Sequence, residues 1–562
     1  MRTFAAGAIV IARPDAIIVG SGAGGSTAAR ILTKRGWNVV VLEKGGPVDA
    51  EDFLPFDELH FREHKTLIPK IVDDPMIYAG LDGNSPVRSE RWWEVTMVGG
   101  STNVWDANFP RYTTPDFDVT PYMKGIPNAG HMVKWPWSYE EFRPWFEMAE
   151  WDWAVSGAAG QSEEEMRAGY QYPMPVLKPH QSSAFLRSLF RKAGLKPYFG
   201  ARAINSQTYD GRPACSFCGF CQFFGCAVNS RANAANTMLR RALATGRCDL
   251  RVNHYVIRVE HEPGPDGRRR IRGVWYVTEP GGPEQFMASD RVIVSVQTIQ
   301  SARLFLLSEV PDPYKLVGRF LTYHTKGDAH FTFPGKGVWN PGLNNFYQPV
   351  TAIGSLQLRG LYTYKDSAGD MRKGGKFSVY DPFTCTTPLR LVKGASLGPS
   401  EKNIWGANLV NYMEELRTQG GVSVSFTGDA MSLYNNRVEL DPVVKDPWGV
   451  PVPKTFYRHD PWDLATSRFA LDTIAEAVGN AGGELRKNDP QDEANPGYGH
   501  VHGALRAGAD RGASVLNLDC ESHEVAGLTV LDAAWMPTAG ASNPSLTLLA
   551  NAYRVCTAMP QA

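Results

Sequence analysis

At 562 residues the chain exceeds what one hydrophobic core fills, so two or more domains are expected. Its 58 Lys and Arg balance 58 Asp and Glu, and 43% of its residues are hydrophobic; with no net field and no basic run interleaved with aromatics, nucleic acid is excluded as a partner. The nearest approach to a spanning segment, Ala5 to Val19, is broken by Arg13, Pro14 and Asp15, short of the roughly 18 apolar residues a membrane helix needs, so no transmembrane segment is expected.

The short apolar run from Phe4 to Ala12 behind Arg2 leads almost straight into a strand and makes a poor signal peptide. Asp15 to Val19 is that strand. Gly20-Ser-Gly22-Ala-Gly-Gly25 follows, then a helix-like stretch and a second apolar strand from Trp37 to Leu42 that ends on Glu43, 23 residues after the first glycine. In this order the glycines have separate tasks. Gly20 permits the tight turn, Gly22 lets the backbone approach a pyrophosphate, and Gly25 allows close helix–strand packing. The phosphates belong at the helix N-terminus, where unpaired N–H groups and the helix dipole favour anions, and Glu43 accepts from ribose hydroxyls. The motif alone does not separate NAD from FAD.

Aromatic segments at Trp135 to Trp153 and Tyr347 to Trp462 suggest a substrate domain. Four of the eight cysteines, Cys215, Cys218, Cys221 and Cys226, fall within twelve residues. That clustering suits a metal better than a loop-closing disulfide. The spacing is nearest to the ferredoxin run C-x2-C-x2-C-x3-C-P, although the fourth cysteine comes one residue late and Ala227 follows it. A 3Fe-4S centre on the first three thiolates, or a 4Fe-4S centre using Cys226 as well, is the leading reading. A four-cysteine zinc site and a disulfide or free thiols remain open. Beyond it, His254 to Val259 reads as a strand and Pro263 to Gly273 as a hairpin tip.

The last 70 residues carry a specific order of elements: His500-Val-His502-Gly503-Ala504-Leu-Arg506-Ala507-Gly508, then Leu528 to Pro537 with Asp532, then Ser542-Asn543-Pro544-Ser-Leu-Thr547. This resembles the C-terminal signature of glucose-methanol-choline (GMC) oxidoreductases. The resemblance extends to Val98-Gly99-Gly100-Ser-Thr-Asn103-Val104-Trp105, continuing to Arg111 and Asp116, to the block Ser301 to Ser308 with Gly318 and His324, and to Val256. Trp135-Pro136-x-Ser138-Tyr139 is similar to a segment of the pyranose oxidase and sugar dehydrogenase branches, and Tyr209 to Pro213 to the flavoprotein subunits of bacterial glucose and gluconate dehydrogenases.

The resemblance implies an α/β fold of p-hydroxybenzoate hydroxylase-like architecture: a discontinuous Rossmann-like FAD-binding domain (1–50, 91–115, 200–330 and 495–562) and an α+β substrate domain with an antiparallel sheet (51–90, 116–199 and 331–494). It implies that Gly99, Gly100 and Asn103 pack on the flavin and that the Val256 backbone meets the adenine. Asp532 then lies on the flavin side, and Asn543-Pro544 opens a helix beside the isoalloxazine. FAD is expected to be non-covalent, because Val104 occupies the place of a flavin-linking His. Ala504 and Ala507 replace the family's Thr and Met.

Alcohol oxidation by a flavin requires a base for the hydroxyl proton and delivery of the carbinol hydrogen as hydride. Histidine, with an ordinary pKa of about 6.5, suits the base role. By resemblance it falls to His500, with Asn543 holding the substrate oxygen. His502 is the rival, since i and i+2 of an extended segment share a face, and His324 is expected to be structural or flavin-supporting. The expected substrate is a sugar or polyol. An iron–sulfur cluster would make the enzyme a dehydrogenase working with a small chaperone-like subunit and a cytochrome c acceptor, on the periplasmic side through a partner's export signal and otherwise in the cytoplasm. An oxygen-using oxidase with structural cysteines is the alternative, and a flavin-binding module without catalysis is a third reading.

Overall fold

The computed structural model describes residues 10–47, 75–80, 87–88, 94–160, 170–179, 181–218, 221, 225–265, 267–332, 356–380, 406–407, 410–411, 421–493 and 499–561. Most of the leader and much of the 347–462 segment lie outside them. No helix among the described residues is long and apolar enough to cross a membrane.

Five short strands of almost wholly apolar residues make a parallel sheet in the spatial order Leu528–Val530, Val292–Val294, Ala16–Val19, Val39–Leu42, Cys248–Arg251. Such runs are read as strands covered on both faces. Ala16 to Leu42 meets that condition, since Ala16, Ile17, Ile18, Val39, Val40 and Val41 have no exposure at all. The helix Ala23–Lys34 packs on the C-terminal helix Ser545–Ala558, which in turn packs on the helix Tyr139–Asp152. The first and last segments of the chain thereby close one core.

Most aromatics of the Trp135 to Trp153 segment are core residues. Trp135, Phe142, Phe146 and Trp153 are buried in the core of the dinucleotide-binding region. Trp135 meets Trp535 edge to face at 5.2 Å between ring centroids, and its indole N–H donates to Thr538 Oγ1 at 2.7 Å. Large rings with one polar atom gain most where the body is buried and the N–H is satisfied, and the helix face beside Trp535 offers both.

A second sheet of six strands runs Glu484–Pro490, Thr325–Thr332, Gly421–Gly428, Gly375–Tyr380, Leu356–Leu358, Pro197–Phe199. Side chains alternate across it. One face carries Ala329, Phe331, Val424, Phe426, Phe377 and Val379, packed on Leu471, Ile474 and Val478 of the helix Pro461–Asn480. That helix starts at Asp460, whose carboxylate accepts from Trp462 N, with Pro461 at the first helical position. The opposite face is polar. Lys326, Thr427 and Lys376 stand in register on three neighbouring strands, followed two residues on by Asp328, Ser425 and Ser378.

Candidate active site

A cavity of about 360 Å³ runs from the first glycine turn to the start of the C-terminal helix. At one end Gly20 has a φ of +91°, the left-handed conformation that favours glycine, and a Cβ on Gly25 would lie 2.0 Å from Gly20 O. The helix can approach the strand only because both positions lack a side chain. A Cβ on Gly22 meets no heavy atom within 4 Å. Gly22 therefore faces open space at the N-cap of the helix Ala23–Lys34, where no side chain caps the first-turn N–H groups. That is the geometry of an anion site, and it fits the pyrophosphate of a dinucleotide.

Glu43 stands at the end of the adjacent strand. Its Oε2 accepts from Ser21 N at 2.9 Å and Ser21 Oγ at 2.6 Å, and its Oε1 from Gly45 N at 2.8 Å. Burial pushes its pKa up, while these hydrogen bonds and Lys44 pull the other way. Ser21 Oγ also accepts from Gly99 N at 3.0 Å, so the two glycine turns are tied together. Gly20, Gly22, Glu43 and Gly100 line the cavity here, with Val256 beyond them.

Gly25, Gly99 and Asn103 do not line it and instead hold the backbone that does. The Asn103 amide donates to Val98 O and Gly100 O at 2.8 and 3.0 Å. The Asn103 side chain, 1% exposed, supports the turn from within.

Farther along, Asp532 Oδ1 accepts from Ala534 N at 2.9 Å and its Oδ2 from Val296 N at 3.1 Å and from the Ser301 hydroxyl. Burial pushes its pKa up to about 6. Asp532 ties its strand end to the helix Thr298–Leu307 while lining the cavity.

The far end is formed by His500, Asn543 and Pro544. His500 lies just before the two-residue strand Val501–His502, paired with Thr322–Tyr323, and Asn543 lies two residues before the C-terminal helix. Their side chains meet, with Asn543 Nδ2 3.2 Å from His500 Nε2. His500 Nδ1 is 2.9 Å from His324 Nδ1, and His324 Nε2 is 3.1 Å from Ala539 O.

A carbonyl only accepts, so His324 carries its proton on Nε2 and presents a lone pair at Nδ1. His500 then carries its proton on Nδ1, which leaves at Nε2 a lone pair that accepts from Asn543 Nδ2. Burial, with Lys326, His502 and Lys376 nearby, holds His500 well below its ordinary pKa. The ring is neutral at physiological pH, as a general base must be. Lys326 lies 3.5 Å from His500 Nδ1 and donates to Thr427 Oγ1 at 2.9 Å; facing a protonated nitrogen, it adds repulsion against a second proton. Burial pulls Lys326 itself down to about 8.

His502 is fully buried and packs on the other side of His324, with ring centroids 4.7 Å apart. It does not line the cavity, because the strand pairing turns it inward.

Two site residues escaped sequence reasoning. Lys376 donates to Asn543 Oδ1 at 2.6 Å, and Lys326 approaches His500 from the six-stranded sheet. Neither belongs to a motif, and the alternation of polar and apolar residues in 375–380 carried the one usable signal, that Lys376 shares a face with Ser378.

The cysteine run follows the turn Tyr209–Arg212, with Cys221 buried and Cys215, Cys218 and Cys226 partly buried. Among the described residues no group of three or more His, Cys, Asp or Glu side chains is placed to hold a metal ion. The expected iron–sulfur or zinc centre therefore gains no support from the described residues. Burial pushes Cys215 up to about 11 and Cys221 up to about 12. The loop nevertheless abuts the cavity wall: Arg231 donates to the carbonyls of both Cys221 and Asn103, and Trp105, which lines the cavity, donates to Ala232 O at 2.9 Å.

The sequence matches the N-terminal domain of the GMC oxidoreductases over residues 14–326 and their C-terminal domain over residues 433–552. The chain belongs to the GMC oxidoreductase family, whose cofactor is FAD. It is 26% identical to paromamine 6'-oxidase of Streptomyces fradiae, covering 96% of this chain and 90% of that one. It is 24% identical to the gluconate 2-dehydrogenase flavoprotein of Pantoea cypripedii (96% and 92% covered) and to the fructose dehydrogenase large subunit of Gluconobacter japonicus (97% and 97%). Among solved structures, pyridoxine 4-oxidase from Mesorbium loti superposes with a TM-score of 0.62 over 97% of this chain and 98% of that one, at 16% identity. Homologues in the family act on alcohol groups as dehydrogenases and as oxidases, and this chain is an enzyme of that kind.

Proposed function

We propose that the protein oxidises a secondary or primary alcohol group of a sugar or polyol, with His500 as the base and Asn543 as the group that holds the reacting oxygen. The carrying observation is the His500–Asn543 pair, 3.2 Å apart, at the end of a cavity whose other end is the open Gly22 turn. A hydroxyl oxygen that takes the place of the Asn543–His500 contact gives its proton to the Nε2 lone pair of His500 and accepts from Asn543 Nδ2. As negative charge grows on that oxygen, the Asn543 donor is already in place, which is where such a donor lowers a barrier. FAD, bound without a covalent link along Gly22, Glu43 and Val256, supplies the hydride acceptor. A polyhydroxylated substrate is favoured by the relatives whose names give gluconate and fructose.

Anaerobic mixing of the holoenzyme with a panel of sugars, polyols and simple alcohols tests this. The proposal expects bleaching of the oxidised flavin by a polyhydroxylated substrate and little by an aliphatic alcohol; bleaching only by the latter would overturn the substrate class.

The route by which electrons leave is a separate part of the proposal. A dehydrogenase that passes them to a partner subunit is favoured by the relatives named as a dehydrogenase flavoprotein and a dehydrogenase large subunit; a periplasmic location belongs to the same proposal. The Cys215–Cys226 loop abutting the cavity through Arg231 is the surface to which that route is assigned. Iron and labile sulfide measured on the purified holoenzyme decide whether a cluster takes part. Rapid peroxide formation from oxygen by metal-free protein would favour the oxidase.

A further inference from the structure

We propose that Lys376 is a positioning residue of this site: from the six-stranded sheet it fixes the Asn543 amide so that Nδ2 faces His500 and the substrate oxygen. The inference rests on the His500–Asn543 reading above and adds to it a residue that belongs to no motif.

Lys376 has no solvent exposure, an uncommon state for a lysine. Its amine donates to Asn543 Oδ1 at 2.6 Å, and no carboxylate of the described residues lies within ion-pairing distance of it. The strand register explains how it gets there. Lys376 is opposite Thr427, which is opposite Lys326, so the two lysines stand two strand spacings apart, about 9–10 Å between backbones, on the face away from the apolar layer of Phe377, Val379 and Phe426. Besides burial, the cations Arg359, Lys326 and Arg202 disfavour its charge, and Asp106 is the acidic group in range. A buried amine costs several kcal/mol to desolvate without a partner, so its retention against a neutral amide needs a reason other than stability.

The hydrogen-bond chain supplies that reason. Reading from Ala539 O, each group donates to the one before it: His324 Nε2–H to the carbonyl, His500 Nδ1–H to His324, Asn543 Nδ2–H to His500, Lys376 to Asn543 Oδ1. An amide rotated by 180° would present Oδ1 to the lone pair of His500 Nε2, two acceptors face to face. Lys376 disfavours that rotamer by occupying Oδ1. It also polarises the amide, which strengthens Nδ2 as a donor toward an oxygen gaining charge.

The test uses the FAD-loaded protein and a substrate that bleaches it, read as the limiting rate of flavin reduction and the apparent substrate Kd. Lys376→Met should lower the limiting rate about 10- to 100-fold while Kd changes less than about threefold, because the lost interaction grows only as the transition state forms. FAD content should be unchanged. The limb on which the rate falls with acid should move upward in pH, because a group that with Lys326 and His502 disfavours a charged His500 has been removed.

In an Asn543→Ala background the same Lys376→Met change should do almost nothing, since its effect passes through the amide. If Lys376→Met does not fold, Lys376→Gln carries the same comparison with a shorter N–H donor. Full FAD content with an unchanged limiting rate overturns the inference, as does an equal loss in the presence and absence of Asn543. His500→Ala measured alongside separates the two levels: if it leaves the rate intact, the base assignment fails, whereas loss there with a normal Lys376→Met rate sinks only the positioning role.

Discussion

The Ser21 hydroxyl donates to the Glu43 carboxylate at 2.6 Å, and Ser21 N adds a second bond to the same oxygen at 2.9 Å. Glu43 is therefore both a ribose acceptor by position and the anchor of the first glycine turn. Glu43→Ala should weaken FAD retention and also lower stability by about 1–3 kcal/mol, since it orphans buried donors. Glu43→Gln should keep the fold better than it keeps the cofactor. Flavin-to-protein ratio after gel filtration, read beside the melting temperature of the apoprotein, separates the two roles.

The two glycines of the first turn should fail in different ways. At Gly22 an added Cβ meets nothing within 4 Å, whereas at Gly25 it lies 2.0 Å from Gly20 O. Gly22→Ala should fold with an unchanged melting temperature and lose FAD affinity at least tenfold, because the methyl takes the space of the phosphates. Gly25→Ala should lower the melting temperature or give insoluble protein. A Gly22→Ala protein that retains FAD normally would remove the pyrophosphate from this turn.

His500→Ala should lower the rate of flavin reduction by at least about 100-fold, the lower range for general-base catalysis, with FAD still bound. His502→Ala should do much less, since His502 is behind His324 and outside the cavity. Because burial and nearby lysines hold the folded pKa of His500 well below the ordinary value, the wild-type rate should stay flat as pH falls through about 6.5 and drop only at lower pH. Stopped-flow reduction across pH checks both statements.

His502 makes a stability prediction with a definite sign. Its pKa is pulled down to about 3 by burial, against about 6.5 in an unfolded chain. The unfolded state therefore binds the proton first, and the stability tied to a neutral His502 is full above about 6.5 and lost as pH falls toward 3, by up to about 1.4 kcal/mol per pH unit. His502→Leu should make the melting temperature less sensitive to acid over that range than in the wild type. Equal slopes in the two proteins would show that His502 does not titrate in this way.

Cys218→Ser tests the exit route. If iron is present in the wild-type protein, the replacement should reduce it, because a serine oxygen is a poor substitute for a soft thiolate, while flavin reduction by substrate survives. If instead the wild type carries no stoichiometric iron or zinc, the substitution should leave one-electron acceptor activity unchanged. Metal analysis with both turnover assays distinguishes the outcomes.

The sequence by itself determined the parts of this protein that depend on local chemistry. The strand, glycine turn, helix, strand and acid at 15–43 are consecutive, and each glycine's task follows from its own backbone, so the order of residues alone assigns Gly20, Gly22 and Glu43 to the dinucleotide end. The C-terminal order of His500, Asp532 and Asn543 was legible because those residues are carried in a motif.

What the tertiary structure alone decided is what happens between segments far apart in the chain. His324, Lys376, His500 and Asn543 form one hydrogen-bonded chain although 176 residues separate His324 from His500 and 167 separate Lys376 from Asn543. No periodicity records such a meeting, because a strand register fixes it and the register is set by the apolar face packed on Leu471 and Ile474. The same reason places the aromatics Trp135, Phe142 and Trp153 in the core and the Asn103 amide under its own turn: spacing along the chain gives proximity, but direction comes only from the neighbours that folding supplies.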